Sequence, residues 1–184
     1  MKVVGIVGSP RIPGNTHYMV SWVLGAAAGA GAETQAINLV EKHIAPCRAC
    51  ESCGDPPNRC AQEDDMASII DALASADAVV MGTPVYGWGP SAWIKSMIDR
   101  WYGLRGEYSG TLRNKRVGLV IPLGDSNPKT AQHTIGVFRD SFGYLGARLA
   151  DPILAPGCGE RDDVTRLTGV REKCEELGRL LVTP

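Results

Sequence analysis

Short apolar runs alternate with longer stretches of helical periodicity along the chain. Residues 2–7 are apolar after the opening lysine, the pattern of a strand buried on both faces. An Ala-rich helix is expected over 16–29, starting just after Asn15, and a strand over about 33–39. An irregular stretch, 40–62, follows. Asp64 and Asp65 read as the N-cap and first turn of a helix running to Ala74, with Met66, Ile69, Ile70 and Leu73 on one face. Residues 78–81 form the third strand, and Pro90 suits the first position of a helix reaching Tyr102. A fourth strand is expected at 115–122, a helix at 130–145, a weaker strand at 148–154 and a final amphipathic helix at 161–181.

Five strands alternating with five helices require a parallel sheet covered on both faces. The expected architecture is α/β: a flavodoxin-like three-layer sandwich whose five-stranded parallel sheet has the order 2-1-3-4-5. One domain is expected over 1–184, with a cysteine-rich insertion at about 40–62. Ligands of such sheets lie over the carboxyl ends of the strands at the switch point, here between the first and third. The loops that start at Gly8 and Thr83 should therefore meet at one site.

Charge narrows the list of partners. Nineteen Lys and Arg against twenty Asp and Glu leave a formal charge of −1, with no long run of either sign. Nucleic acid and anionic membranes are thereby disfavoured as partners. The apolar start is broken by Gly8-Ser9-Pro10-Arg11, so it reads as neither a signal-peptide core nor a membrane span, and a cytoplasmic location is expected. Six cysteines in such a chain, four of them between Cys47 and Cys60, point first to metal or redox chemistry.

The loop from Gly8 to Thr16 joins a strand to a helix N-terminus, where free N–H groups and the helix dipole favour an anion. Ser9, Asn15 and Thr16 add side-chain donors, Arg11 adds positive charge, and Gly8 and Gly14 permit close backbone approach. The pattern is neither G-x-G-x-x-G nor the Walker loop. The loop Thr83-Pro84-Val85-Tyr86-Gly87-Trp88-Gly89-Pro90 combines a rigid backbone with two large aromatics. A flat aromatic ligand needs both. A phosphate clamp beside a ring platform is what flavin mononucleotide, FMN, requires.

These two loops, Gly8-Ser9-Pro10-Arg11-x-x-Gly14-Asn15-Thr16 and Thr83-Pro84-Val85-Tyr86, resemble those of the NADPH-dependent FMN reductase group. The resemblance implies FMN, with Ser9, Arg11, Gly14, Asn15 and Thr16 at its phosphate. It places Pro84, Val85, Tyr86, Gly87 and Trp88 along the ring, and adds Gly124 and Asp125 from the loop after the fourth strand. NAD(P)H is the implied electron donor, and a homodimer or homotetramer the implied assembly.

Cys47, Cys50, Cys53 and Cys60 follow a C-x₂-C-x₂-C-x₆-C spacing that can wrap one metal cluster. The stretch resembles the iron-sulfur flavoprotein branch of the same group, which implies a [4Fe-4S] cluster beside FMN. Zinc and unmetallated thiols are the alternative readings of these residues. Cys158 and Cys174 lack spacing partners and read as buried, inert thiols. Trp93, Met97 and Trp101, four residues apart, suggest either a core stripe or a subunit contact, the contact being preferred. Lys95 and Asp99 suit a surface pair.

The expected function is an FMN-dependent oxidoreductase or electron-transfer protein, passing electrons between FMN, a cluster and an acceptor that is a small molecule or a redox protein. The alternative is an NAD(P)H-dependent FMN, quinone or nitro-compound reductase without a cluster. A flavin- or metal-binding sensor without turnover is the reading from a different class.

Overall fold

A computed structural model describes residues 1–54, 60–104 and 110–183. Six parallel-paired strands form the main sheet: β1 (Lys2–Val7), β2 (Glu33–Asn38), β3 (Ala78–Gly82), β6 (Arg116–Leu123), β7 (Arg148–Leu149) and β8 (Ile153–Pro156). Their order is β2-β1-β3-β6-β7, with β8 also pairing to β6. This is the expected 2-1-3-4-5 order, its fifth strand broken in two. Val117 pairs with Leu149 and Val120 with Ile153, so residues 150–152 lie opposite only 118–119. The extra residue makes a β-bulge, and Pro152 inside it has no N–H to contribute to a ladder.

Helices α2 (Met66–Ser75), α3 (Ala92–Asp99) and α4 (Gln132–Tyr144) cover one face, where Ile69, Leu73, Ile94, Met97, Phe138 and Phe142 pack on Val4, Ile6 and Leu119. Helices α1 (Asn15–Gly29) and α5 (Val170–Val182) cover the other, packing Met19, Val23 and Leu177 on Val3, Val80 and Val120. Among the described residues no helix is long and apolar enough to cross a membrane.

Three expectations require correction. Pro90 does not begin a helix. It lies in β5 (Gly89–Pro90), which pairs antiparallel with β4 (Val85–Tyr86), and Ser91 caps α3 by accepting the Ile94 N–H. The stretch from 161 is not continuous helix, because a 3₁₀ turn at Asp163–Arg166 and the left-handed Gly169 (φ 78°) precede α5. The Trp93–Met97–Trp101 stripe is core: Met97 and Trp101 are buried, and Trp101 packs on Phe142 with ring centroids 5.2 Å apart. The Lys95–Asp99 pair forms on the surface as expected.

Candidate functional site

The phosphate loop leaves β1 and enters α1 without a side-chain cap. Gly14 is the N-cap residue and has no side chain to bond the first turn, and that turn holds no acidic residue. Its free N–H groups and the positive dipole end therefore face the loop. Ser9 and Thr16 are buried beside them, and the Ser9 hydroxyl accepts the Arg11 N–H at 3.2 Å. A Cβ at Gly14 would meet the Arg11 carbonyl oxygen at 2.6 Å, so only glycine lets the loop fold this tightly. Gly8 serves packing instead. A side chain there would run into Ile94 of α3 rather than toward a ligand.

The second loop is a β-hairpin whose two central residues, Gly87 and Trp88, have φ of 54° and 62°. Positive φ at both positions is the type I′ turn that matches strand twist. A bulky aromatic is rarely held there. Tyr86 is 44% exposed and Trp88 66%, so neither ring belongs to the core. Buried hydroxyls lock this hairpin to the phosphate loop. Ser91 Oγ donates to the Gly8 carbonyl at 2.5 Å, and Thr83 Oγ1 accepts the Ser91 N–H at 3.1 Å.

The residues meet as the topology requires. Ser9, Arg11, Asn15 and Thr16 share one cleft of about 210 Å³ with Pro84, Val85, Tyr86 and Gly124. A second hollow of about 180 Å³, lined by Val85, Gly87, Trp88, Gly124 and Asp125, adjoins it, the two sharing Val85 and Gly124. The uncapped helix end, buried hydroxyls and exposed aromatic turn suit a phosphorylated flavin in donor chemistry and in shape. Asp125 is less available than its position suggests. Its carboxylate accepts the Asn127 N–H at 2.9 Å and the Thr130 hydroxyl at 2.6 Å, bonds that hold it below the usual carboxylate range.

Sequence reasoning missed one wall of this cleft. Cys158 and Gly159 line it, carried there by the loop after β8. Burial pushes the Cys158 thiol up to about 11, so it stays protonated at neutral pH. A single cysteine between glycines offers no periodic signal that could have announced this role.

The cysteine loop leaves β2 through a 3₁₀ turn at Leu39–Glu41 and returns at α2. Cys47, Cys50, Cys53 and Cys60 all border one cavity of about 270 Å³, with Asp99 and Tyr102 on its rim. Burial, then the neighbouring sulfurs of Cys60, Cys47 and Cys50, raise the Cys53 thiol. The Ser52 hydroxyl, donating at 3.4 Å, lowers Cys50. The donor set fits a thiophilic metal or cluster. Among the described residues, however, no group of three or more His, Cys, Asp or Glu is gathered in a metal-holding arrangement.

A buried ion pair, also invisible to motif reading, ties the root of this loop. Arg100 and Asp64 side chains are 1% and 3% exposed and meet at 2.5 Å. Arg100 also donates to the Ala45 carbonyl at 3.2 Å and to Cys60 Sγ at 3.3 Å. Asp64 accepts the Ala45 N–H at 2.9 Å and the Met66 N–H at 3.1 Å. Burial alone would raise Asp64, but the bonds from Arg100, Ala45 and Met66 outweigh it and hold the carboxyl below its ordinary value.

Comparison with known proteins agrees with this arrangement. The chain is 39% identical over 142 residues to an iron-sulfur flavoprotein of Methanocaldococcus jannaschii, covering 77% of this chain and 72% of that one. It is 34% identical over 140 residues to an iron-sulfur flavoprotein of Methanosarcina thermophila, covering 76% and 72%. In fold it is similar to an NAD(P)H:quinone oxidoreductase from Methanothermobacter marburgensis. The TM-score is 0.78 at 15% identity, over 100% of this chain and 97% of that one. The model of one family, NADPH-dependent FMN reductase, matches residues 1–150, four-fifths of the chain. That stretch supplies all of the cleft's lining but Cys158 and Gly159, and the chain belongs to the NADPH-dependent FMN reductase family.

Proposed function

We propose that residues 1–184 act as one FMN-binding unit that takes electrons from NAD(P)H and passes them to a small acceptor of the quinone or nitro-compound class. One observation carries the reading: donors suited to a phosphate share one cleft with the start of a rigid aromatic turn suited to a flat ring, and a hollow bearing Trp88 adjoins it across Val85 and Gly124. Ser9, Arg11, Gly14, Asn15 and Thr16 surround the phosphate end, and Pro84 to Trp88 with Gly124 and Asp125 the ring end. Bound flavin supplies hydride acceptance and electron release. The chain's part is to bind, orient and shield. The first-turn N–H groups of α1 and the Ser9 and Thr16 hydroxyls hold the anion, the locked hairpin fixes the ring edge, and Trp88 covers one side. The Cys158 thiol, pushed up to about 11, neither charges nor competes as a nucleophile at neutral pH.

Steady-state oxidation of NADH and NADPH by FMN-loaded protein, with a soluble quinone present, tests the proposal. Turnover that needs both FMN and acceptor is the expected result. Protein that holds FMN yet oxidises neither nucleotide with any acceptor overturns the reductase reading in favour of a sensor.

A second reading concerns Cys47, Cys50, Cys53 and Cys60, and the shared cavity of their sulfurs supports it. Together they would hold a [4Fe-4S] cluster, as the names of the Methanocaldococcus and Methanosarcina relatives suggest, or a single thiophilic metal. A cluster there would supply one-electron transfer to a redox partner. Iron and sulfide per chain after anaerobic reconstitution decide between this and free thiols. Assembly into a homodimer or homotetramer belongs to the same proposal and is read by sedimentation.

A further inference from the structure

The phosphate loop is tied to a segment that lies beyond the family match, which ends at residue 150. Asn15 Nδ2 donates to the Glu160 carbonyl at 2.5 Å, and Asn15 Oδ1 accepts the Val164 N–H at 3.1 Å. Arg11 Nη1 donates to the Gly159 carbonyl at 2.9 Å. The segment is fixed from its other side as well. Gly157 N–H reaches the Asp125 carbonyl at 3.0 Å and Cys158 N–H the Leu123 carbonyl at 2.8 Å. Its far end is buried through Val164, and its near end, Cys158 and Gly159, lines the cleft.

Asn15 is thus used at both ends of its carboxamide. One oxygen and one N–H replace the pairing that a neighbouring strand would give residues 160 and 164. Only its second N–H remains for a ligand. Arg11 differs, being exposed and bonded to a single carbonyl, so its guanidinium has donors to spare.

We propose that Asn15 is a positioning residue, latching the 157–164 segment as the outer wall of the phosphate cleft rather than serving chiefly as a phosphate ligand. The inference rests on the FMN reading of that cleft. The latch sets where Cys158 and Gly159 stand relative to the uncapped end of α1. Its effect therefore falls more on the phosphate than on the ring.

A double-mutant cycle separates latch from ligand. Asn15→Ala removes both bonds, while Val164→Pro removes the N–H that Asn15 accepts and exchanges one buried apolar side chain for another, early in a 3₁₀ turn where proline is tolerated. FMN and riboflavin affinities are measured by flavin fluorescence for the parent, both single variants and the double variant. The latch predicts that each single variant weakens FMN about tenfold, the scale of one or two neutral hydrogen bonds. It also predicts that the double variant is no worse than Asn15→Ala, and that the FMN-to-riboflavin affinity ratio falls. A merely structural loss would weaken both flavins alike and leave that ratio unmoved, which overturns the proposal. Weakening by Asn15→Ala with none by Val164→Pro makes Asn15 a direct ligand and also overturns it, as does no effect from either. A parent that binds no FMN sinks the underlying reading instead. Should Val164→Pro not fold, exchange of the Val164 amide in FMN-loaded Asn15→Ala decides: lost protection supports the latch, and full protection overturns it.

Discussion

The cleft at the start of α1 and the thiol loop sit on one sheet and are held by different means. The cleft is pinned by many neutral bonds from buried hydroxyls, a carboxamide and backbone, among them Ser91 to Gly8 and Thr83 to Ser91. Each such bond is worth about 0.5–1.5 kcal/mol net, so the loss of one is survivable. The thiol loop is an excursion of some twenty residues whose root is closed by the buried Arg100–Asp64 pair, with Asp65 beside it accepting the His43 N–H at 2.7 Å and donating its own N–H to the His43 carbonyl at 3.0 Å. A buried pair gains little over an apolar replacement, but removing one partner strands the other charge. The cleft is therefore built to degrade gradually, whereas the thiol loop concentrates its largest single loss in one buried charge pair.

The hardest break is Arg100→Met. It leaves the Asp64 carboxylate buried without its cation and should cost about 3–5 kcal/mol in urea unfolding. Arg100→Met with Asp64→Leu should recover most of that loss, and a double variant as unstable as the single would remove the pair from its controlling place. Acid separates them further. Because the folded Asp64 carboxyl is held below its ordinary value of 3.8, its contribution is present above that value and is lost as pH falls through the lower folded one. The parent's urea midpoint should fall more steeply there than the double variant's.

Next comes metal uptake. Changing any one of Cys47, Cys50, Cys53 or Cys60 to Ser should remove most of the iron taken up anaerobically, while Cys158→Ser and Cys174→Ser should leave it as in the parent. Equal uptake by all six variants would leave the loop as free thiols. On the cleft side, Ser91→Ala deprives the Gly8 carbonyl and the first turn of α3 of one partner each. The expected cost is about 1–3 kcal/mol by thermal unfolding, with FMN affinity reduced but not abolished. Abolished binding would show that the cleft, too, depends on a single tie.

The smallest contrast is chemical. Burial pushes Cys158 up to about 11 and Cys174 up to about 12, so neither should react with iodoacetamide at pH 8 while the protein is folded. Cys50, lowered by Ser52, should react first, and Ser52→Ala should slow it a few-fold. Mass mapping of the modified thiols checks both.

The sheet order, the five helices and the meeting of the two ligand loops were all legible in the chain. Strand periodicity and Gly/Pro punctuation are local signals, and the topology follows from them. The Arg100–Asp64 pair was not legible, because its members are thirty-six residues apart, Asp64 reads as a helix cap and Arg100 carries no motif of its own. Ser91 was hidden behind Pro90, whose preference for a first helical turn pointed one element too early. The tryptophan stripe misled for a related reason: a spacing of four marks a face but does not say what covers it. Phe138 and Phe142, forty residues on, supply the cover.

The bulge in the fifth strand also resets the phase of the chain. Leu149 packs on the α2–α4 side and Ala150 on the other, yet after the extra residue Ile153 faces the α1 side and Leu154 the α2–α4 side. Odd and even positions exchange faces across residues 150–152. A strict two-residue rhythm would have sent Ile153 to the wrong layer. It would also deliver the Gly159 and Glu160 carbonyls about 3.3 Å out of step with Arg11 and Asn15. One residue that pairs with nothing is thus the spacer that brings the far end of the chain to the mouth of the cleft at the right height.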